Sequence, residues 1–343
     1  LIQGSIVLLD VKTGNIIAMI GGRQEDEYID YFNRASQSLR QPGSIFKPFL
    51  YMTALKNKNE EDGKPLSPNF KIQNQEFSIV DGDRNYQPKN FDNSTGGEQT
   101  LRYGLKKSTN LVAVRLISQM KNGPQKVKDI AKKFGFTSDI FAGEAIALGS
   151  SAVSLLEMTS AYAAIANNGV LIKPNYISKI ENSLGEVLQD FNLEENYAEE
   201  DKGVIYLIRD MMKGVIREGT GQSLKWRLEH PKLDPDFYTH IAGKTGTTNN
   251  FTDSWFVGFT PQVCIGVWVG MDNRSVSTRL YGSEGALPIF AETIKELYSF
   301  KKYSLGDGYI RELYDTLDWK DNIVHYLDDE SNPEPKELIG GGK

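Results

Sequence analysis

Apolar positions fall in short continuous runs near the two ends of the chain and recur at helical spacing through its middle. GSIVLLD (4–10) and IIAMI (16–20) are apolar and β-rich, and VKTGN between them carries turn residues, so the chain is predicted to open with a β-hairpin. WFVGFT (255–260) and VCIGVWVGM (263–271), joined by Pro261-Gln262, predict a second hairpin, and IAGKTGT (241–247) reads as a strand beside it. Helical spacing appears in Phe46 to Lys56, QTLRYGLKK (99–107), LVAVRLISQM (111–120) and PQKVKDIAKKF (124–134), the last ended by Gly135. SLLEMTSAYAAIANNG (154–169) opens on a capping box, Ser154 with Glu157, and closes on Asn168-Gly169. VIYLIRDMMKGVI (204–216) runs to GTG at 219–221, and PIFAETIKELY (288–298) reads as a closing helix.

Two regions lack these periods. Residues 57–98 are rich in Asn, Asp, Gly, Pro and Lys, with only FKIQNQEFSIV resembling strand, and read as a long loop region. A polar hairpin is expected around the turn NSLG (182–185). Strands at both ends with helices between predict an α+β fold: a central, mostly antiparallel sheet from the two chain ends, flanked by helices, with an all-helical lobe inserted. The expected sheet lobe spans about 1–48 and 236–300 and the helical lobe about 49–235. Residues 301–343 form a C-terminal extension whose end, DDESNPEPKELIGGGK (328–343), has the composition of a disordered tail.

Composition narrows the function without choosing it. With 343 residues, 39% hydrophobic, 24% charged and a net charge of −6, the chain reads as globular and enzyme-like, and no basic patch invites nucleic acid. No apolar run approaches the roughly 18 residues that span a bilayer. The chain starts Leu1-Ile2-Gln3-Gly4 and enters the apolar run Ile6 to Leu9 almost at once, so it reads as an excised fragment whose targeting or anchoring segment would lie elsewhere. The single cysteine, Cys264, sits inside VCIGVWVG as a core thiol. His230, His240 and His325 are scattered, which favours neither a metal site nor a Ser-His-Asp triad, and no cofactor is called for.

Candidate chemistry begins at RQPGSIFKP (40–48). Ser44 after a Pro-Gly turn can be a helix cap, or a nucleophile with Lys47 as its base. Residues three apart share a helix face with Cβ atoms roughly 5 to 6 Å apart, within reach of a lysine amine. Pro48 is tolerated in a first helical turn, which independently puts Ser44 at a helix N-terminus. The same Ser-x-x-Lys spacing recurs at Ser118 to Lys121 and Ser299 to Lys302, so spacing alone does not choose. Two further segments can join Ser44 in a cleft: KKSTN (106–110), which puts Ser108 and Asn110 at a break between helices, and GKTGT (243–247), with Lys244, Thr245, Gly246 and Thr247 on a strand. A second Lys-Thr-Gly, Lys12 to Gly14, falls in a hairpin turn and reads as turn chemistry. Tyr238 stands where a phosphate loop ending at GKT would need glycine. Trp255, Phe256 and Trp268 alternate with apolar residues and read as core or cleft-wall packing rather than a binding platform.

The triplet Ser44-x-x-Lys47, Ser108-x-Asn110, Lys244-Thr245-Gly246, in this order, resembles that of the penicillin-binding protein transpeptidases and their serine β-lactamase relatives. QPGSIFKPF, YQPKNFD, GGEQTLRYGLKKSTN, ALGSSAVSLLEMTSAYAAIANNG and GKTGTTNNFTDSWFVGFTPQ extend the similarity to the transpeptidase domain of class A, bifunctional penicillin-binding proteins, from about residue 4 to 300. The resemblance implies the penicillin-binding/β-lactamase-like fold and a peptidoglycan D,D-transpeptidase. In this implied chemistry Ser44 attacks the D-Ala-D-Ala carbonyl of a stem peptide and forms an acyl-enzyme, which an acceptor stem's amine resolves into a cross-link; penicillin and other β-lactams acylate the same serine. Lys47 serves as base, Ser108 relays protons between it, Lys244 and the leaving amine, and Asn110 binds the substrate amide. Lys244, Thr245 and Thr247 recognise the substrate carboxylate, and the N–H groups of Ser44 and Thr247 hold the oxyanion. Gly246 lets the substrate backbone lie against the strand, with packing as the alternative. D,D-carboxypeptidase or β-lactamase hydrolysis, and a non-enzymatic β-lactam sensor, remain open at this point. The resemblance further implies a bacterial envelope location on the outer side of the cytoplasmic membrane, with an N-terminal anchor and a glycosyltransferase domain in the intact protein.

Overall fold

The β-rich runs toward the two ends, IVLL (6–9) and VCIGVWVG (263–270), are apolar or glycine on alternate and intervening positions alike, a pattern that buries a strand on two faces. In the computed structural model, which describes residues 1–23, 30–58, 63, 65–81, 84–191, 195–199 and 201–299, these ends become neighbours in one sheet. Strands β1 (Gln3–Asp10), β2 (Ile16–Ile20), β3 (Ala242–Thr247), β4 (Asp253–Phe259) and β5 (Val263–Gly270) lie in the order β3-β4-β5-β1-β2. Every pairing is antiparallel, and β1 meets β5 in the register Gln3↔Gly270 to Asp10↔Val263. β3 is therefore an edge strand, with one side of its backbone open to other parts of the chain.

The period-2 alternation sorts the apolar run onto the two faces. Ile6, Leu8, Phe256, Ile265 and Val267 pack with Leu287, Phe290 and Ile294 of a C-terminal helix. Val7, Leu9, Val257, Cys264 and Trp268 pack into the larger core with Leu155, Met158 and Tyr162. The helices are α1 (Lys47–Leu55), α2 (Leu101–Lys107), α3 (Asn110–Ser118), α4 (Gly123–Lys133), α5 (Leu155–Ala166), α6 (Lys202–Arg217), α7 (Leu224–Arg227) and α8 (Ala286–Ser299). α5 covers one face of the sheet and α8 the other. All nine residues of α1 are buried, as expected of a helix apolar on every side. Around it Phe46, Phe49, Phe134, Phe136 and Tyr162 form a ring cluster with centroids 5.3 to 6.1 Å apart.

The sheet from both chain ends and the flanking helices match the expected fold class, and the α5 capping box is present. Ser154 Oγ accepts from the Glu157 N–H, and the Glu157 carboxylate accepts from the N–H groups of Ser154, Thr137 and Ser138. Burial would raise the Glu157 carboxyl, but the Ser138 hydroxyl, which donates to it at 2.6 Å, together with the Thr137 hydroxyl and these N–H groups, outweighs burial and holds the group at about 2. Cys264 is buried, donates to the Thr159 carbonyl and is held well above an ordinary thiol by desolvation.

Between α1 and β3 the helices are accompanied by short two-stranded ribbons: Lys71–Gln73 with Glu98–Thr100, Ile79–Asp81 with Arg84–Tyr86, Val170–Ile172 with Glu195–Tyr197, and Lys179–Glu181 with Val187–Asp190. Only the last, turning at 182–185, and part of the first two were expected. Strands of three residues are too short to display a period, so pairing with a distant partner decides them. α7 was not anticipated for the same reason. The extension 301–343, with His325 and Lys302, lies outside the described residues.

Candidate active site

The Gln41-Pro42-Gly43-Ser44 turn enters a single 3-10 turn, Gly43–Phe46, which runs directly into α1. The α-helix thus starts within one residue of the expected Phe46, and the 3-10 turn ahead of it puts Ser44 at its N-terminal end as expected; Gly43, at φ +57, lets the chain close that tight turn before α1 starts. Three contacts hold this turn. Gly43 N–H donates to Gly149 O (3.3 Å), the Trp255 indole N–H to Gln41 O (2.9 Å), and the Tyr162 hydroxyl to Ile45 O (2.6 Å). Edge strand β3 lies against it. A Cβ on Gly246 would sit 2.7 Å from Pro42 O and 2.9 Å from Ile45 Cγ2, so glycine here is required by close packing of the nucleophile turn on the strand. A Cβ on Gly43 would meet Thr247 O at 2.8 Å, which puts the Thr247 carbonyl on the side of β3 facing the turn. In an antiparallel strand a residue's N–H and C=O project to the same side, so the Thr247 N–H also faces the turn that carries Ser44.

Ser108 caps the C-terminus of α2 in a left-handed conformation, φ 62 and ψ 35. Such a backbone is uncommon outside glycine, Asn and Asp and is found where the surrounding fold enforces it. The conformation aims the Ser108 carbonyl and hydroxyl at two lysines. Lys47 Nζ donates to Ser108 O (2.5 Å), to Asn110 Oδ1 (2.8 Å) and, more distantly, to Ser108 Oγ (3.3 Å). Lys244 Nζ donates to Ser108 Oγ (2.9 Å) and Thr245 O (3.1 Å). Both amines are fully buried. Burial pushes Lys47 well below an ordinary lysine, and the nearby Lys244 charge pushes the same way. Burial brings Lys244 down to about 7.

The structure thus gathers Ser44, Lys47, Ser108, Asn110, Lys244, Thr245, Gly246 and Thr247 around one junction of α1, the α2–α3 break and β3. It also changes the expected contacts. The sequence spacing put the Lys47 amine on the Ser44 hydroxyl; among the described residues that amine is instead satisfied by Ser108 and Asn110, and Ser44, which is half-buried, is not its hydrogen-bond partner. Asn110, expected to meet substrate, gives Oδ1 to Lys47 and one Nδ2 hydrogen to Lys89 O (3.0 Å). Thr245 Oγ1 pairs with Thr220 Oγ1 at 2.6 Å, and Thr247 Oγ1 accepts from Gly282 N–H at 3.0 Å. Lys12 to Gly14 forms the β1–β2 turn, with Asp10 Oδ1 accepting from Thr13, and Ser118 bonds Val114 O and Glu144. Neither joins the site. Phe256 packs on Phe290 of α8, centroids 4.6 Å apart, as core.

Sequence reasoning assigned no role to Asn90. This buried residue accepts with Oδ1 from the N–H groups of Asn110 (2.8 Å) and Leu111 (2.9 Å), and donates with Nδ2 to Asn74 Oδ1 (2.8 Å) and Ser94 O (2.7 Å). It caps α3 in place of Thr109, whose hydroxyl is turned to Gln99. The one available signal was its position in YQPKNFD, inside a long loop of the kind that often carries function. Trp255, read as packing, supports the nucleophile turn through its indole N–H.

With a half-buried serine on the turn that leads into α1, two buried amines of lowered pKa sharing a second hydroxyl, and a lysine-bearing edge strand, the arrangement can activate a serine and hold an anionic acyl donor. The family model described as penicillin binding protein transpeptidase domain matches residues 4–295. Penicillin-binding protein 1A of Aquifex aeolicus is 37% identical over 295 residues, covering 86% of this chain and 38% of that protein. That of Rickettsia conorii is 34% identical over 325 residues, covering 88% and 38%. The crystal structure of penicillin-binding protein 1A from Haemophilus influenzae superposes with a TM-score of 0.76 at 28% identity, covering 89% of this chain and 49% of that one. The PonA1 protein from Mycobacterium tuberculosis, in complex with penicillin V, shares the fold with a TM-score of 0.69 at 24% identity, covering 88% and 79%. The chain spans only about 38% of the length of these curated relatives. Family match over nearly all the described residues, relatives above 30% identity and a shared fold lead to one conclusion: this chain belongs to the penicillin-binding protein transpeptidase domain family.

Proposed function

We propose that the chain is a serine D,D-transpeptidase that cross-links peptidoglycan stem peptides and is acylated by β-lactams. The observation that carries the reading is the Ser108 hydroxyl lying within hydrogen-bond reach of both buried amines, Lys47 and Lys244, beside the turn that bears Ser44. A neutral Lys47 has two N–H donors and one lone pair. The donors suit Ser108 O and Asn110 Oδ1, its two shorter contacts, and the lone pair is left to take a proton. Ser44 Oγ attacks the carbonyl between the last two D-alanines of the donor stem, and its proton passes to Lys47. The Ser44 and Thr247 N–H groups take up the oxyanion, an interaction worth about 3 to 4 kcal/mol per donor in comparable sites. The proton travels through Ser108 to the departing amine of D-alanine, leaving an ester on Ser44. An acceptor amine then attacks the ester, loses its proton by the reverse route and forms the cross-link. Charged Lys244, with Thr245 and Thr247, holds the donor's C-terminal carboxylate.

The intact protein, in this reading, sits in the bacterial envelope on the outer face of the cytoplasmic membrane, with an N-terminal anchor and a glycosyltransferase domain beyond this chain. Residues 1–300 form the transpeptidase domain, a sheet lobe of about 1–48 and 236–300 with a helical lobe of about 49–235. The penicillin V complex of the PonA1 relative supports a penicillin as the probe. Intact-mass spectrometry after penicillin treatment is expected to show one added penicilloyl group on the unsubstituted protein and none on Ser44→Ala. An adduct that persists in Ser44→Ala overturns the assignment, and release of the adduct within seconds favours a hydrolase. Formation of a cross-linked product from stem peptide and an amine acceptor distinguishes the enzyme from a sensor.

A further inference from the structure

The segment following α6 has no role in the chemistry above, yet it is fastened to the site at both ends. Thr220 N–H donates to Lys106 O (3.3 Å), Lys107 Nζ to Glu218 O (2.8 Å), and Lys106 Nζ to the Glu218 carboxylate (2.7 Å). Lys106 and Lys107 are the last residues of α2, immediately before Ser108. The backbone of Thr220 is thereby fixed relative to the hydroxyl that both lysines share. From this position its Oγ1 reaches edge strand β3 and meets Thr245 Oγ1 at 2.6 Å, on the short side for a hydroxyl pair. Thr245 is 6% exposed, and Thr220 is half-buried.

Each threonine hydroxyl has one proton to donate and two lone pairs. If Thr245 is to donate to an anionic ligand, its proton is committed outward and its oxygen must be the acceptor in the pair. The donor is then Thr220. From this direction of bonding we infer that Thr220 is a positioning residue: its hydroxyl donates to Thr245, fixes that side chain's rotamer and leaves the Thr245 proton aimed at the carboxylate of the acyl donor. The chain Thr220 O–H to Thr245 O–H to carboxylate is cooperative, since each bond polarises the next. The inference rests on the transpeptidase reading and adds to it the group that orients carboxylate recognition. It also explains why a segment remote in sequence is tied to the end of α2: the same tether sets β3 relative to Ser108.

The test compares second-order acylation rates for benzylpenicillin and for its methyl ester, which lacks the anionic group. Thr220→Val keeps the shape and removes the hydroxyl. It is expected to slow reaction with benzylpenicillin about three- to tenfold, the range of one neutral hydrogen bond, and to leave the slower ester reaction within about twofold. Thr220→Ser is expected to restore the rate, and Thr220→Val added to Thr245→Val to slow it no further. Thr220→Ala provides the same comparison should Thr220→Val fail to fold, which thermal unfolding reports. An equal loss with acid and ester, or no loss with either, overturns the inference while leaving the transpeptidase reading intact. Absence of any acylation of the unsubstituted protein overturns that reading and this inference with it.

Discussion

Lys244 offers a test in which activity and stability move in opposite directions. The side chain is fully buried, and burial lowers its amine from 10.5 to about 7. That difference corresponds to about 5 kcal/mol at roughly 1.4 kcal/mol per pH unit, and it measures how strongly the folded state disfavours the charged amine. Below pH 7 the amine is charged in both states and the full penalty acts on the folded protein. As pH rises from 7 toward 10.5 the folded protein has released its proton while the unfolded chain still holds it. The unfolded state then binds more protons, so wild-type stability increases with pH across that window. Lys244→Met removes the amine and keeps a flexible apolar chain of similar volume. It also removes the donors to Ser108 Oγ and Thr245 O, a loss of about 1 to 3 kcal/mol for groups left without a partner. The balance at pH 6 is a variant more stable than wild type by about 2 to 4 kcal/mol, with the advantage shrinking toward pH 9. Urea unfolding of both proteins at pH 6, 7.5 and 9 measures it, and penicillin acylation of the variant is expected to be severely slowed. A variant less stable than wild type at every pH, or a difference that does not change with pH, would refute the claim that a buried ammonium is held at the site against the fold's preference.

Two further outcomes follow from the same geometry. Lys244→Arg keeps the cation but cannot lose its proton, so the fall in acylation by benzylpenicillin expected above pH 7 in the unsubstituted protein should vanish in the variant; a pH–rate profile with the same alkaline limb in both would count against Lys244 as the carboxylate's cation. Asn90→Ala strips the cap from α3 and frees the Asn110 backbone, so thermal unfolding should register a loss of about 1 to 2 kcal/mol and acylation should slow about tenfold. Unchanged acylation in a correctly folded Asn90→Ala protein would show that the loop leaves Asn110 and Lys47 undisturbed.

What the sequence determined by itself is local in origin. The continuous apolar runs IVLL and VCIGVWVG are sufficient to predict strands, and the side-chain period of 2 assigns neighbours in them to opposite sides whatever the partner. Ser154 and Glu157 close their capping box within one turn, and Pro42-Gly43 with Pro48 dictates a turn entering a helix at Ser44. Residue types at three separated segments, with a family resemblance, named the candidate site. Only the tertiary structure decided who touches whom. Lys47 lies three residues from Ser44, yet its amine bonds Ser108 and Asn110, 61 and 63 residues away, because α1 is buried on every side and the α2–α3 break presents acceptors where the helix delivers the amine. Asn90 and Thr220 acquire their roles in the same way, through partners that no local period encodes. The depressed amines are likewise products of the fold, since desolvation exists only once the surrounding chain has excluded water.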